Sequence, residues 1–160
     1  MKQYSEDEII DLFKTFSDDK YSLVVSTVNE ENMPLTSYSP FVVKNGNYYI
    51  CVSSNMPHFK NMETSKKAHV FIIEDEEKAS HIYARQRLYF DASCEVIENT
   101  ENIFQLFDER YGDKLSFLKT MKDFKVLQLV PGQKSLVLGF GAAYKMDVDG
   151  NIGQKNIGHK

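Results

Sequence analysis

The chain has 160 residues, 42% of them apolar, which is the length of one ordinary domain with enough apolar content to bury a sizeable core. Its 19 basic and 23 acidic side chains leave a net charge of −4 with no massed basic stretch, which argues against a nucleic-acid backbone as partner. No apolar run reaches the ~20 residues of a membrane-spanning helix, and the acidic start "MKQYSEDEIIDLF" is unlike a secretory leader, so no membrane partner and a cytoplasmic location are expected.

Ser5 and Glu8 stand at capping-box spacing ahead of Ile9, Ile10, Phe13 and Phe16, which predicts an N-terminal helix with one apolar face. From Tyr21 the pattern turns to β: "YSLVVSTV", "LTSYSPFVV" and "NYYICVS", joined at "NEENMP" and "KNGN", read as a three-strand meander. A short helix, "HFKNMETSKK", precedes a fourth strand, "AHVFIIE", and a long fifth one, "HIYARQRLYFDASCEVIE". "ENIFQLFDERY" places Ile103, Phe104, Phe107 and Tyr111 at helical spacing before Gly112 stops it, and "DKLSFLKTM" adds a further helical turn or two. "FKVLQLV", a turn at "PGQK" and "SLVLGFGAAYKM" complete the sheet. The predicted class is mainly β (α+β): a barrel of about six to seven mostly antiparallel strands with small peripheral helices. Residues 1–146 form this domain, N-terminal helix included, and the Gly- and Asn-rich residues 147–160 a flexible C-terminal arm. Cys51 and Cys94, each inside an apolar strand, are expected as buried free thiols.

Three places could carry chemistry. The loop "SSNMPHFKNM" ends a buried strand and starts a helix, where free backbone N–H groups suit an anion, with Ser54, His58, Lys60 and Asn61 nearby. His58 reads equally as an ordinary helix-start residue. On the fifth strand, period-two alternation assigns Ile82, Ala84, Leu88, Phe90, Ala92, Cys94 and Val96 to the core and sets Tyr83, Arg85, Arg87 and Tyr89 on the other face. Two cations between two rings suit plain solvation, a subunit interface, or a flat aromatic ligand with acidic groups. In "GFGAAY", Gly139 and Gly141 mark either a bend in the barrel or a place where a large ligand comes close. His69 and His81 read as structural, and "DVDGN" as a turn, since it lacks the ligand spacing of a calcium loop.

With these segments the chain resembles the split-barrel group of pyridoxamine-phosphate oxidases and other flavin-binding proteins, over nearly its full length. Within that group it is most similar to the HugZ and HutZ haem-degrading proteins, through Ser54, His58, Asn61 and Met62 in the loop and "GFGAAY" near the end. Flavin-binding relatives usually carry an Arg-Lys pair for the FMN phosphate, where this chain has Pro57 and His58. The resemblance implies a homodimeric split barrel acting as a haem oxygenase, with haem as cofactor and substrate and an unidentified electron donor. It implies His159 as the iron ligand, Asp123 as the carboxylate that partners it, and Arg87 with Arg85 as propionate contacts. An FMN-dependent oxidoreductase and a non-enzymatic haem carrier or store are the alternatives.

Overall fold

The computed structural model describes residues 3–154. Helix α1 (Glu6–Thr15) starts as its sequence predicts: the Ser5 hydroxyl accepts the Glu8 N–H and the Glu8 carboxylate accepts the Ser5 N–H, which satisfies two otherwise orphaned donors. Ile9 and Phe13, with Phe16 beyond them, bury its apolar face in the main core.

The strands are β1 (Leu23–Val28), β2 (Pro34–Ser39), β3 (Phe41–Lys44), β4 (Asn47–Ser53), β5 (Lys67–Ile73), β6 (Arg87–Ile97), β7 (Phe124–Val137), β8 (Ala143–Met146) and β9 (Ile152–Gln154). They form one antiparallel sheet in the order β2-β1-β5-β6-β7-β4-β3, with β8 added to β7 and β9 to β8. The sheet curls round a core of alternate residues from β1, β4, β5, β6, β7 and β8, to which α2 (Pro57–Ser65) adds Phe59 and Met62. This is the mainly β split barrel expected from the sequence. A second cluster lies outside it, where Ile103 and Phe107 of α3 (Glu101–Tyr111), with Leu118 of the following 3-10 turns, pack on Val42, Tyr49 and Cys51. Strand β4 is therefore covered on both faces, which explains the unbroken apolar run "YYICV".

Four segments differ from the sequence reading. The run from His81 is not all strand: residues 82–84 form a 3-10 turn and β6 begins at Arg87. Local bonds outcompete the ladder there, because Arg85 donates to the Glu74 carbonyl through Nε (2.9 Å) and Nη2 (2.6 Å), and the Gln86 N–H donates to the Glu74 carboxylate (3.0 Å). Ile82, expected in the core, is 60% exposed, whereas Leu88, Phe90, Ala92 and Cys94 are buried as the alternation requires. "LTSYSPFVV" divides into β2 and β3 at Pro40, which has no N–H to give a ladder. "PGQK" is not a turn. Strand β7 runs through it with an extra residue between Pro131 and Lys134, and a Cβ on Gly132 would lie 3.3 Å from the Asp91 carbonyl oxygen. The reversal falls instead in "GFGAAY", where Gly139 (φ +136°) and Gly141 (φ +70°) take conformations that disfavour side chains and the Leu138 N–H meets the Ala142 carbonyl at 2.8 Å.

"DVDGN" is a turn as read, held by Asp147 Oδ1, which accepts the Asp149 and Asn151 N–H groups at 2.9 Å each. Residues 152–154 then pair with β8. No helix among the described residues is long and apolar enough to cross a membrane.

Candidate functional site

The register of β4 on β7, which pairs Ser53 with Phe124, carries Asp123 to the loop before α2. The Ser54 N–H donates to the Asp123 carbonyl and the Ser53 hydroxyl to Asp123 Oδ2, both at 2.7 Å. Ser53 Oγ in turn accepts the Asn55 N–H at 3.2 Å. Among the described residues nothing donates to Asp123 Oδ1. Sequence reasoning singled out Ser54 and Asp123 separately and missed Ser53, whose hydroxyl bonds the Asp123 carboxylate.

Helix α2 begins with Pro57 in its first turn and has no side-chain cap. His58 follows, its Nε2 shielded from water and without a partner among the described residues. Burial lowers its pKa from the ordinary 6.5, so the ring is neutral near pH 7. Asn61, one turn on, donates from Nδ2 to Thr27 Oγ1 at 3.0 Å and so ties α2 to β1. On β2, Ser37 Oγ is also shielded and unpartnered, and its pairing with Val25 sets it on the same side of the sheet as Thr27. The exposed Lys60 and the half-buried Ser54 rim a groove of about 490 Å³ floored by Phe59, Val96 and Phe104.

The arginines lie elsewhere. Arg85 is spent on the fold, since besides the Glu74 carbonyl it ion-pairs Glu76 at 3.0 Å. Arg87, half-buried, uses only Nη1, toward the Arg85 carbonyl at 2.9 Å, and keeps its other donors. It pairs with Val137, close to Gly139 and Gly141, whereas the Asp123 loop sits near the far end of β6, where Ile97 pairs with Val126. A strand rises about 3.3 Å per residue, so roughly 30 Å of β6 separates the two groups within one subunit. Gly139 lines a groove of about 560 Å³ with Tyr4, Gln86 and the exposed Phe140. A Cβ there would meet nothing within 4 Å, so it is the positive φ and not crowding that calls for glycine. His69 is paired with Asp91 at 2.8 Å, and among the described residues no cluster of three or more His, Cys, Asp or Glu could hold a metal ion. His159 lies outside the described residues.

On the outer face of the sheet, register aligns Tyr38, Val24, Phe71 and Tyr89 in one row across four strands. Phe71 and Tyr89 stack with centroids 6.2 Å apart, and Tyr38 is 75% exposed.

The loop after β4 is not the row of free donors expected from the sequence, since the Ser54, Asn55 and Met56 N–H groups are bonded within the fold and Pro57 has none. A mainly β split barrel defines a class of fold, and the chain matches the pyridoxamine 5'-phosphate oxidase family over residues 9–137; it belongs to that family. It is 32% identical over 140 residues to the heme oxygenase HutZ of Vibrio cholerae serotype O1, covering 85% of this chain and 80% of that protein. The crystal structure of Vibrio cholerae HutZ, described as a heme storage protein, superposes with a TM-score of 0.71 at 30% identity, over 81% of this chain and 94% of that one. Campylobacter jejuni ChuZ superposes with a TM-score of 0.84 at 26% identity, over 99% of this chain and 68% of that one.

Proposed function

We propose that the protein binds haem between two copies of the chain and opens the ring with oxygen and external electrons, giving a biliverdin-type product and free iron. The observation that carries this reading is the start of α2. Where the flavin relatives are expected to hold an Arg-Lys phosphate clamp, this chain has Pro57 and a neutral, shielded His58 whose Nε2 has no partner among the described residues. An orphaned ring nitrogen on a neutral side chain suits one hydrogen bond to a carboxylate better than the binding of a phosphate dianion. The 32% identity to a heme oxygenase supports haem as the ligand.

In this reading Arg87 holds a propionate with its free donors, and His58, Lys60, Ser54 and Asn61 receive polar groups at the loop. His159 binds iron, and Asp123 accepts that ring's other N–H on Oδ1, which fixes its tautomer and raises its basicity. Haem supplies the iron redox chemistry that turns oxygen against its own ring. Two copies are required because Arg87 and Asp123 stand at opposite ends of β6 in one copy, and the outward row of Tyr38, Val24, Phe71 and Tyr89 is the face on which they pair.

Haemin added to the purified protein is expected to give a sharp Soret band, and a reductant under air to bleach that band with release of chelatable iron. A Soret band that survives reductant and air favours the second reading, a haem store, which the description of HutZ as a storage protein supports. A yellow two-band flavin spectrum in the protein as purified would replace both with an FMN oxidoreductase. His159→Ala is expected to retain the fold and lose the axial-ligand signature of the bound haem.

A further inference from the structure

We propose that Ser53 is the positioning residue that holds Asp123 ready for the iron ligand, an inference that rests on the haem reading above. The single hydroxyl proton of Ser53 goes to Asp123 Oδ2 at 2.7 Å, while its lone pair takes the Asn55 N–H at 3.2 Å, so the hydroxyl is oriented from both sides. Backbone reinforces the arrangement, because the Ser54 N–H holds the Asp123 carbonyl at 2.7 Å. A carboxylate bonded on one oxygen cannot rotate freely, and here the bonded oxygen is Oδ2. Oδ1 is left as the acceptor, with no donor among the described residues. Ser53 is 7% exposed and closes a buried strand, so water is a poor substitute for its hydroxyl. The pair joins residues 70 positions apart, linking the end of β4 to the residue that precedes β7. Ser53 follows the run Tyr48–Val52, and its hydroxyl has a bonding task besides packing.

The test uses the full chain loaded with haemin and reduced without oxygen, and reads the iron–histidine stretch by resonance Raman rather than turnover. Asp123→Asn, which leaves a weaker acceptor, is expected to lower that frequency. Ser53→Ala is expected to lower it in the same direction by a smaller amount, and Ser53→Thr, which keeps a hydroxyl, to return it toward the parent value. Thermal unfolding of the haem-free variants separates a general loss of structure from this local effect. A lowered frequency in Asp123→Asn with an unchanged or raised one in Ser53→Ala overturns the positioning role and leaves the Asp123 assignment intact. If Asp123→Asn itself leaves the stretch unmoved, the assignment of Asp123 fails and the role of Ser53 falls with it. A Ser53→Thr protein that behaves like Ser53→Ala also overturns the proposal, because the hydroxyl would not be the operative group.

Discussion

Arg85 and Arg87 are two positions apart and have different tasks. Arg85 spends its guanidinium on the Glu74 carbonyl and the Glu76 carboxylate, so Arg85→Ala is expected to lower stability by about 1 kcal/mol in urea unfolding while haem affinity holds. Arg87 has donors in reserve. A charge-assisted bond to a carboxylate is typically about 1.5 to 3 kcal/mol, so Arg87→Ala should weaken haemin binding roughly tenfold or more in a Soret titration, with little change in stability. His58 makes a prediction in pH. Burial lowers its pKa in the folded chain, so as pH falls through 6.5 the unfolded chain takes up the proton first. The contribution of the neutral ring to stability is therefore complete above pH 6.5 and is lost below it, until the folded ring is protonated as well. His58→Gln is expected to flatten that part of the stability–pH curve, measured on the haem-free protein by urea unfolding at a series of pH values.

Among the elements, α3 packs on the barrel through Ile103 and Phe107 and is hydrogen-bonded to it through its last turn. The Tyr111 hydroxyl accepts the Phe41 N–H at 3.0 Å and lies 2.8 Å from the carbonyl oxygens of Phe41 and Tyr21, while Arg110 donates to the carbonyls of Ser17 and Lys20. Tyr111→Phe would leave the Phe41 N–H unpaired at the start of β3, a loss of about 1 to 3 kcal/mol, seen as a lower urea midpoint with an unchanged slope. Periodicity announced α3, α1 and most strands because each buries one face, and the capping box of Ser5 and Glu8 marked a helix start from four residues. It misread residues 81–86 because Ile82, Ala84 and Leu88 alternate like a strand, whereas the deciding bonds come from Glu74, outside any local window. It misread "PGQK" for a related reason: Pro and Gly serve a bulge as readily as a turn, and only the pairing with β6 distinguishes them. The loop residues Ser54, His58 and Asn61 were legible as a motif. The bond from Ser53 to Asp123 was not, since nothing in either segment points to a partner 70 positions away.

At the scale of the whole molecule, the proposed site needs a second copy. Phe71→Asp, set in the middle of the outward row, should give one-chain mass in sedimentation at micromolar concentration and lose most haemin affinity, although the barrel core, to which Phe71 does not belong, remains intact. A dimer that survives this change would move the interface to another face. Strand β7 has a further consequence. It is bonded to β6 along most of its length, and its other edge is shared between β4 and β8, so neither edge is open where those neighbours pair. Its amide protons there can meet solvent deuterium only when a neighbouring strand leaves. They should be among the slowest to exchange in the protein, while those of β2, β3 and β9, which end the sheet among the described residues, label first. The order of isotope uptake would thus trace the barrel from its rims to a strand that three others depend on.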